Sequence, residues 1–173
     1  MRLNGKTQVV GVIGWPVEHS LSPPMHNAAL EALDLNWVYV PFAVSPERVP
    51  EALAGLRGLG LRGLNVTIPH KSAVLPSLDE VSDQARLLAA VNTLTHREGR
   101  LLGENTDVEG FRRSVAEVGW SLGGSRVAVV GAGGSARAVA LAALQDSAAQ
   151  VIILNRTLSR AEELVRLLSS VAG

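Results

Sequence analysis

Short apolar runs alternate with longer helix-like segments along most of this chain, and that alternation constrains its fold most. Residues 7–13, 37–42 and 61–67 are rich in β-branched, aromatic and other apolar residues, as buried strands are. Segments with helical spacing of apolar residues follow the first two runs, at 23–33 and 46–59. Because strands that alternate with helices form largely parallel sheets, we predict an α/β fold.

The same alternation continues in the second half of the chain. The further elements predicted are a helix at 81–89, a hairpin of 91–95 and 100–103, a helix at 106–119, strands at 126–130 and 150–154, and helices at 134–147 and 158–171. Glycine and serine interrupt the pattern at 119–125, which indicates a domain boundary. We expect a first domain at 1–105, a linker helix and loop at 106–125, and a second domain at 126–173.

Composition excludes several classes of protein. The 173 residues are 47% hydrophobic, enough for one ordinary core or two small ones, and sixteen basic side chains cancel sixteen acidic ones. No nucleic acid is therefore expected as a partner. No run is long enough to span a membrane and the first residues lack a signal peptide's apolar stretch, so we expect a cytoplasmic protein.

Metal and thiol chemistry are not expected either. The chain has no cysteine, which excludes disulfides and thiol nucleophiles. None of the four histidines is paired at metal-ligand spacing, so we interpret them as loop or helix-surface residues. Trp15, at the end of the first strand, is interpreted as a core or loop-packing residue, with a pocket-lining role as the alternative.

Polar residues end the third predicted strand, where a buried strand has no folding reason to carry them. Asn65 and Thr67 interrupt the apolar run, a proline stops it, and Lys71 follows. Open α/β sheets bind ligands outside the carboxyl ends of their strands, so this segment indicates a binding site. Two further polar clusters, at 20–27 and 103–107, lie on either side of it in the sequence.

A glycine-rich turn joins an apolar strand to a helix in the second domain. Gly131 permits a tight turn, Gly133 allows close approach of the backbone to a pyrophosphate, and Ala136 occupies the third small position. Free N–H groups and the positive dipole end of the following helix favour phosphates. This context predicts a dinucleotide site, with a turn that binds no ligand as the alternative.

The residues that follow the next strand predict the preferred cofactor. NAD-binding folds place an acid there for the ribose 2′-hydroxyl, whereas this chain has Asn155, Arg156 and Thr157, with Arg160 shortly after. A guanidinium can pair with a 2′-phosphate in bidentate fashion, so we predict NADP rather than NAD. The alternative is that Arg156 is only a solvated residue at the start of a helix.

Six segments, in this order, resemble the shikimate dehydrogenase family. They are residues 20–27, 65–71, 90–93, 103–107, 131–138 and 155–157. The resemblance implies a mostly parallel substrate domain followed by a Rossmann-type domain that binds NADP. It implies interconversion of shikimate and 3-dehydroshikimate by hydride transfer, in the cleft between the domains. The cofactor residues that it implies are Gly131, Ala132, Gly133, Gly134, Ser135, Ala136, Asn155, Arg156, Thr157 and Arg160.

The resemblance also assigns residues to the substrate. Ser20 and Ser22 would hold its carboxylate, which suits two hydroxyls at a helix start, although Ser22 could equally be only an N-cap. Lys71 would be the acid/base, with Asp107 as its partner and as a ligand of a substrate hydroxyl; each alone could be an ordinary surface residue. The remaining ring hydroxyls would bind to Asn65, Thr67 and Asn92.

The second domain has only two predicted strands, whereas a complete dinucleotide domain has more. We therefore expect a chain truncated at its carboxyl end, with a folded first domain and negligible turnover. A homodimer is an open alternative to a monomer. Two other functions stay open: an NAD-using quinate/shikimate dehydrogenase and a non-catalytic shikimate-binding fragment.

Overall fold

Two compact units make up the chain in a computed structural model, which describes residues 3–169. The first unit ends at Glu104 and the second begins at Asn105. The ends of the domains predicted at 1–105 and 126–173, and of the helix predicted at 158–171, lie outside the described residues. In the part of the chain that is described, no helix combines the length and apolar character needed to cross a membrane.

The first unit contains six strands and three α-helices among the described residues. They are β1 (Gln8–Gly14), α1 (Ser22–Ala32), β2 (Trp37–Ala43), α2 (Val49–Gly58), β3 (Gly63–Val66), β4 (Glu80–Val81), α3 (Asp83–Leu88), β5 (Thr93–Arg97) and β6 (Arg100–Glu104). Short 3₁₀ turns occupy Pro46–Arg48 and Leu75–Ser77.

The six strands form one mixed sheet in the order β2-β1-β3-β5-β6-β4. β1 pairs in parallel with β2 and β3, and β4 with β6, whereas β5 runs antiparallel to β3 and β6. The predicted α/β class and the β5–β6 hairpin are confirmed. Val81 lies in β4 rather than in the predicted helix, because the Ser82 side chain caps α3 by accepting a hydrogen bond from Ala85 N at 3.3 Å.

The α2 side of the sheet carries the larger core. Val49, Leu53 and Leu56 recur at helical spacing on α2, are buried, and pack against Leu64 and Val66 of β3. Burial of each such side chain is worth about 1.5–3 kcal/mol. Because successive residues of a strand face opposite sides, this packing turns the intervening Asn65 toward the α1 side.

Ser45 directly precedes the helix predicted at 46–59, which makes it an N-cap candidate, but its side chain does not cap a helix. The Ser45 hydroxyl makes no capping hydrogen bond and instead bonds to the Glu47 carboxylate, which competes for it. The first turn is accordingly 3₁₀, and α2 itself begins only at Val49.

The second unit has the predicted strand-helix-strand-helix order. Its elements are α4 (Asp107–Glu117), β7 (Arg126–Val130), α5 (Gly134–Gln145), β8 (Gln150–Leu154) and α6 (Leu158–Ser169). β7 and β8 pair in parallel. Residues 107–117, interpreted from the sequence as part of a linker, pack as α4 against α5, where Arg112 and Asp146 form an ion pair at 2.6 Å.

Candidate active site

The segment after β3 is anchored to the ends of both β1 and β2. Thr67 N donates to Ile13 O at 3.0 Å, and a His70 ring nitrogen, Nε2, lies 2.7 Å from Val44 O. His70 is a loop residue, as one of the interpretations of the histidines had it, but it is 0% exposed and so is buried rather than at the surface. The anchored loop determines where the half-buried Lys71 leaves the sheet.

Gly14, at the end of β1, lets Thr67 approach that strand closely. A Cβ at Gly14 would lie 2.5 Å from Thr67 Cγ2, well inside the contact distance that carbon atoms tolerate. A side chain at position 14 would therefore displace a predicted substrate residue. The sequence shows a glycine at the end of a strand, but it does not show that Thr67 packs against that glycine.

Backbone hydrogen bonds bring Asn92 beside β3 and the Lys71 loop. Val66 N donates to Asn92 O at 2.8 Å, and Val91 N donates to Lys71 O at 2.7 Å. Two of the segments that carry the family resemblance, 65–71 and 90–93, are therefore neighbours in space. Their side chains also meet, since Asn65 Nδ2 lies 3.3 Å from the Thr93 hydroxyl and 3.4 Å from Asn92 O.

Tyr39 links the α1 start to β3, a connection that the sequence analysis missed. Its phenol donates to Asn65 Oδ1 at 2.7 Å, and the Ser22 side chain lies near it. Burial raises the pKa of Tyr39 to about 12, and the nearby Ser22 side chain opposes that shift. The phenol is therefore protonated at neutral pH. The sequence signal for this connection was the single tyrosine of the chain, which lies within an apolar predicted strand.

Ser22 does not occupy the N-cap position of α1, which was one interpretation of its role. Ser22 is the first residue of α1, because the backbone of the preceding Leu21 already has a helical conformation. Ser22 N donates a hydrogen bond to the Ser20 hydroxyl oxygen at 3.2 Å. Both hydroxyls do lie at the helix N-terminus, as the carboxylate hypothesis requires.

Asp107 is the first residue of α4, in the second unit. Its backbone N–H donates to Asn105 Oδ1 at 3.0 Å, and Asn105 is buried. The role of Asp107 as the partner of Lys71 stays a prediction. Asn105 belongs to the cluster at 103–107 but received no role in the sequence analysis.

The glycine loop of the second unit has the geometry expected of a phosphate-binding turn. Gly131 has φ +117°, which strongly favours glycine, and its N–H donates to Leu154 O at 2.7 Å. A Cβ at Gly133 would meet no atom within 4 Å, and α5 begins at the next residue without a capping side chain. The loop thus has both open space and a helix N-terminus for a pyrophosphate.

The basic segment after β8 lies next to that loop, through the Gly131–Leu154 hydrogen bond. Asn155 Nδ2 donates to Thr157 O at 2.8 Å, which closes the turn. Arg156 and Arg160 are both exposed. The donors present and the open glycine loop therefore fit a dinucleotide that carries a 2′-phosphate.

Trp15, His26 and His96 each have defined neighbours in the first unit. Trp15 is 49% exposed and lines a cavity of about 380 Å³ with residues of α2 and the end of β2, so it is not a core residue. His26 stacks on Tyr39, and His96 Nδ1 lies 2.9 Å from Leu61 O. Among residues 3–169, no group of histidines and acids is arranged to hold a metal ion.

Comparison with known proteins identifies the family. The model of the shikimate dehydrogenase substrate binding domain matches residues 12–94, and the shikimate/quinate 5-dehydrogenase model matches residues 114–172. The chain belongs to the shikimate dehydrogenase family. A shikimate dehydrogenase (NADP(+)) from Geobacter metallireducens is 55% identical over 100% of this chain and 61% of that protein.

Solved structures of the shikimate dehydrogenase family share the fold. One shikimate dehydrogenase in complex with NADP+ has a TM-score of 0.93 at 44% identity, over 99% of this chain and 59% of that one. The Thermus thermophilus enzyme in complex with NADP(H) and shikimate has a TM-score of 0.88 at 41% identity, over 94% and 61%. This chain therefore spans less than two thirds of the length of these relatives.

Proposed function

We propose that this chain carries the substrate-binding domain and the first part of the cofactor-binding domain of an NADP-dependent shikimate dehydrogenase. Membership of the family supports the reaction class. The observation that carries the proposal is the hydrogen-bonded group formed by Tyr39, Asn65, Asn92 and Thr93 beside the Lys71 loop, with the Ser22 side chain near the Tyr39 phenol. It gathers predicted substrate residues from distant segments of the sequence.

The proposed substrates are shikimate and 3-dehydroshikimate. A ring with several hydroxyls needs many convergent polar groups, which Asn65, Thr67 and Asn92 would supply. The carboxylate would bind to Ser20 and Ser22, where the α1 N-terminus favours a negative charge. Both sets of residues belong to the first unit, so this unit would contribute most of the substrate affinity.

Lys71 is the proposed acid/base. During reduction the nicotinamide cofactor, when bound, supplies a hydride to the carbonyl carbon. The Lys71 ammonium would give a proton to the carbonyl oxygen, which becomes the alcohol. In the reverse direction, neutral Lys71 would remove the proton from that hydroxyl. Asp107 is its proposed carboxylate partner, which would favour the charged form of the lysine.

NADP is the proposed cofactor, bound by the second unit. The N–H groups at residues 131–136 would bind the pyrophosphate, and Arg156 with Arg160 would pair with the 2′-phosphate. Asn155 and Thr157 shape the turn that presents those arginines. We also propose that the protein acts in the cytoplasm, with a homodimer as the alternative to a monomer.

Shikimate-dependent reduction of NADP⁺ tests this function directly. The assay should use this chain and, in parallel, the longest open reading frame that contains it, because the chain spans only part of its relatives. Calorimetric titration of this chain with shikimate, NADP⁺ and NAD⁺ separates binding from turnover. Binding of shikimate and preferential binding of NADP⁺ would support the proposal, and binding of neither would overturn it.

Two other functions are alternative outcomes of the same assay when quinate is tested beside shikimate. Comparable turnover of quinate, together with a preference for NAD⁺, would indicate an NAD-using quinate/shikimate dehydrogenase. Shikimate binding without turnover in either form would indicate a non-catalytic binding protein. Neither is favoured over the main proposal, because the segment after β8 is basic and the curated relatives are named as NADP(+) enzymes.

A further inference from the structure

Tyr39 is held by α1 at its backbone and at its ring. The Asn27 side chain bonds to both backbone groups of Tyr39, accepting from N at 2.9 Å and donating to O at 2.8 Å. The ring stacks on His26, with centroids 4.3 Å apart and an interplanar angle of 11°. With Tyr39 only 4% exposed, packed against Val12 and Val17, its phenol has a well-defined position.

In each hydrogen bond near the phenol, the donor and the acceptor can be assigned. The Thr93 hydroxyl donates its proton to Asn92 Oδ1 at 2.9 Å, so toward Asn65 it can only accept. Nδ2 of Asn65 must then face Thr93, and its Oδ1 faces the phenol of Tyr39, which donates to it at 2.7 Å. The phenol has a single proton, which it gives to Asn65.

This order has a consequence for the Asn65 amide. An asparagine amide can turn by 180°, which exchanges its donor and its acceptor, unless its neighbours fix it. Asn92 O and the Thr93 hydroxyl accept from Nδ2, and the Tyr39 phenol donates to Oδ1, so together they hold both ends of the amide. The high pKa of Tyr39 keeps the phenol protonated throughout the neutral range.

We propose that Tyr39 is a positioning residue of the substrate site, whose phenol holds the Asn65 amide in the orientation that binds shikimate. This inference rests on the proposed function. Tyr39 itself is buried, so it acts through Asn65.

Tyr39→Phe tests the proposal, since it removes only the hydroxyl and keeps the stacked ring. Shikimate Kd, measured by calorimetry on this chain, should rise about 3- to 10-fold, the loss expected for one neutral hydrogen bond. The Kd for NADP⁺ should not change. In the form that turns over, KM for shikimate should rise by the same factor while kcat changes less than about 2-fold, because the phenol does not touch the reacting atoms.

Thr7→Val is the matched control. The Thr7 hydroxyl also makes two hydrogen bonds in the first unit, with Asn36 Oδ1 at 2.8 Å and Asn4 N at 2.9 Å, but it precedes β1. Its loss should leave both dissociation constants unchanged. If the role of Tyr39 were only structural, both variants would lower the melting temperature without changing the Kd for shikimate.

A second measurement needs no substitution in the chain. Tyr39 is the only tyrosine of the chain, so growth on 3-fluorotyrosine places one ¹⁹F label there. Titration with shikimate should shift the ¹⁹F signal with the calorimetric Kd, and NADP⁺ should not. Absence of a shift at saturation would contradict the inference.

The outcomes separate this inference from the proposed function. If wild type binds shikimate, Ser22→Ala weakens binding and Tyr39→Phe does not, the role of Tyr39 is wrong and the function stands. If wild type does not bind shikimate, the proposed function fails and the inference fails with it. If Tyr39→Phe weakens shikimate binding alone and the label reports the same Kd, the inference is supported.

Discussion

At the scale of the residue, Asn65 shows how one strand serves both the core and the site. Leu64 and Val66 on either side of it are buried against α2, which turns Asn65 to the opposite face. There its amide meets Tyr39 and Thr93. A polar residue in a short buried strand is therefore accommodated by hydrogen bonds rather than by exposure.

Lys71→Ala should lower kcat by about 10²–10⁴-fold with little change in shikimate Kd, the effect of losing a general acid/base. The assay is NADP⁺ reduction by the form that turns over, with Kd from calorimetry. The chain contains one other lysine, the exposed Lys6, so Lys6→Ala is a matched control that should retain activity. A Lys71→Ala enzyme with a rate near wild type would remove lysine from the mechanism.

Arg156→Ala should weaken NADP⁺ binding about 10- to 100-fold, the loss of a hydrogen bond to a charged group worth ~1.5–3 kcal/mol. NAD⁺ lacks the 2′-phosphate, so its Kd should change little. Arg166→Ala removes an exposed arginine of α6 and is the control for net charge. Equal losses for both cofactors would show that Arg156 does not contact the 2′-phosphate.

At the scale of the element, Asp79 joins α2 to β6. Its carboxylate accepts from Leu101 N at 2.6 Å and from Arg57 of α2 at 2.7 Å. The Leu101 N–H and then the Arg57 guanidinium lower the pKa of Asp79 below its ordinary 3.8. A carboxylate with a lowered folded pKa stabilises the fold above the unfolded value, and that contribution is lost as pH falls through the folded one.

Asp79→Asn should therefore lower the melting temperature at pH 7, because the ion pair and the charged acceptor are lost. As pH falls below 3.8 and through the lower folded pKa of Asp79, the difference from wild type should shrink, since wild type is then protonated and loses the same interaction. Thermal unfolding followed by circular dichroism across that range measures both effects. Glu98→Gln, at an exposed carboxylate of the β5–β6 turn, is the control. A difference independent of pH would contradict the assignment.

At the scale of the whole molecule, the two units differ in how their strands are covered. In the first unit, β1, β3, β5 and β6 each have two neighbours in the sheet. In the described part of the second, β7 and β8 have only each other, and Val130 and Leu154 are 84% and 50% exposed. Strand edges without a partner and exposed apolar side chains favour either local opening of these strands or association between chains.

Hydrogen exchange should therefore show stronger protection of β1 and β3 than of β7 and β8 at low protein concentration. Amides of strands with one partner open more readily than those of a central strand. If chains associate through the second unit, its protection should rise with concentration, which sedimentation would detect in parallel. Equal protection of both units in a monomer that turns over shikimate with NADP would contradict this prediction.

The sequence by itself determined the elements whose signals are local. β-branched runs predicted β1 and β2 closely, and the glycine-rich turn predicted the junction of β7 and α5. The hairpin of β5 and β6 followed from two strand-like runs around a turn. In each case the information lies within a few consecutive residues, through strand periodicity and turn chemistry. The polar strand ends likewise indicated Asn65, Thr67 and Lys71 before any geometry was known.

Only the tertiary structure decided which side chains meet. β4 is two residues long, too short for any period, and it exists because β6 pairs with it. Tyr39 and Asn65 are 26 residues apart, as are His70 and Val44, and nothing local relates them. Their contacts depend on the register between strands and on which face each residue occupies. Both are set by packing of the whole sheet against its helices, which is a property of distant residues acting together.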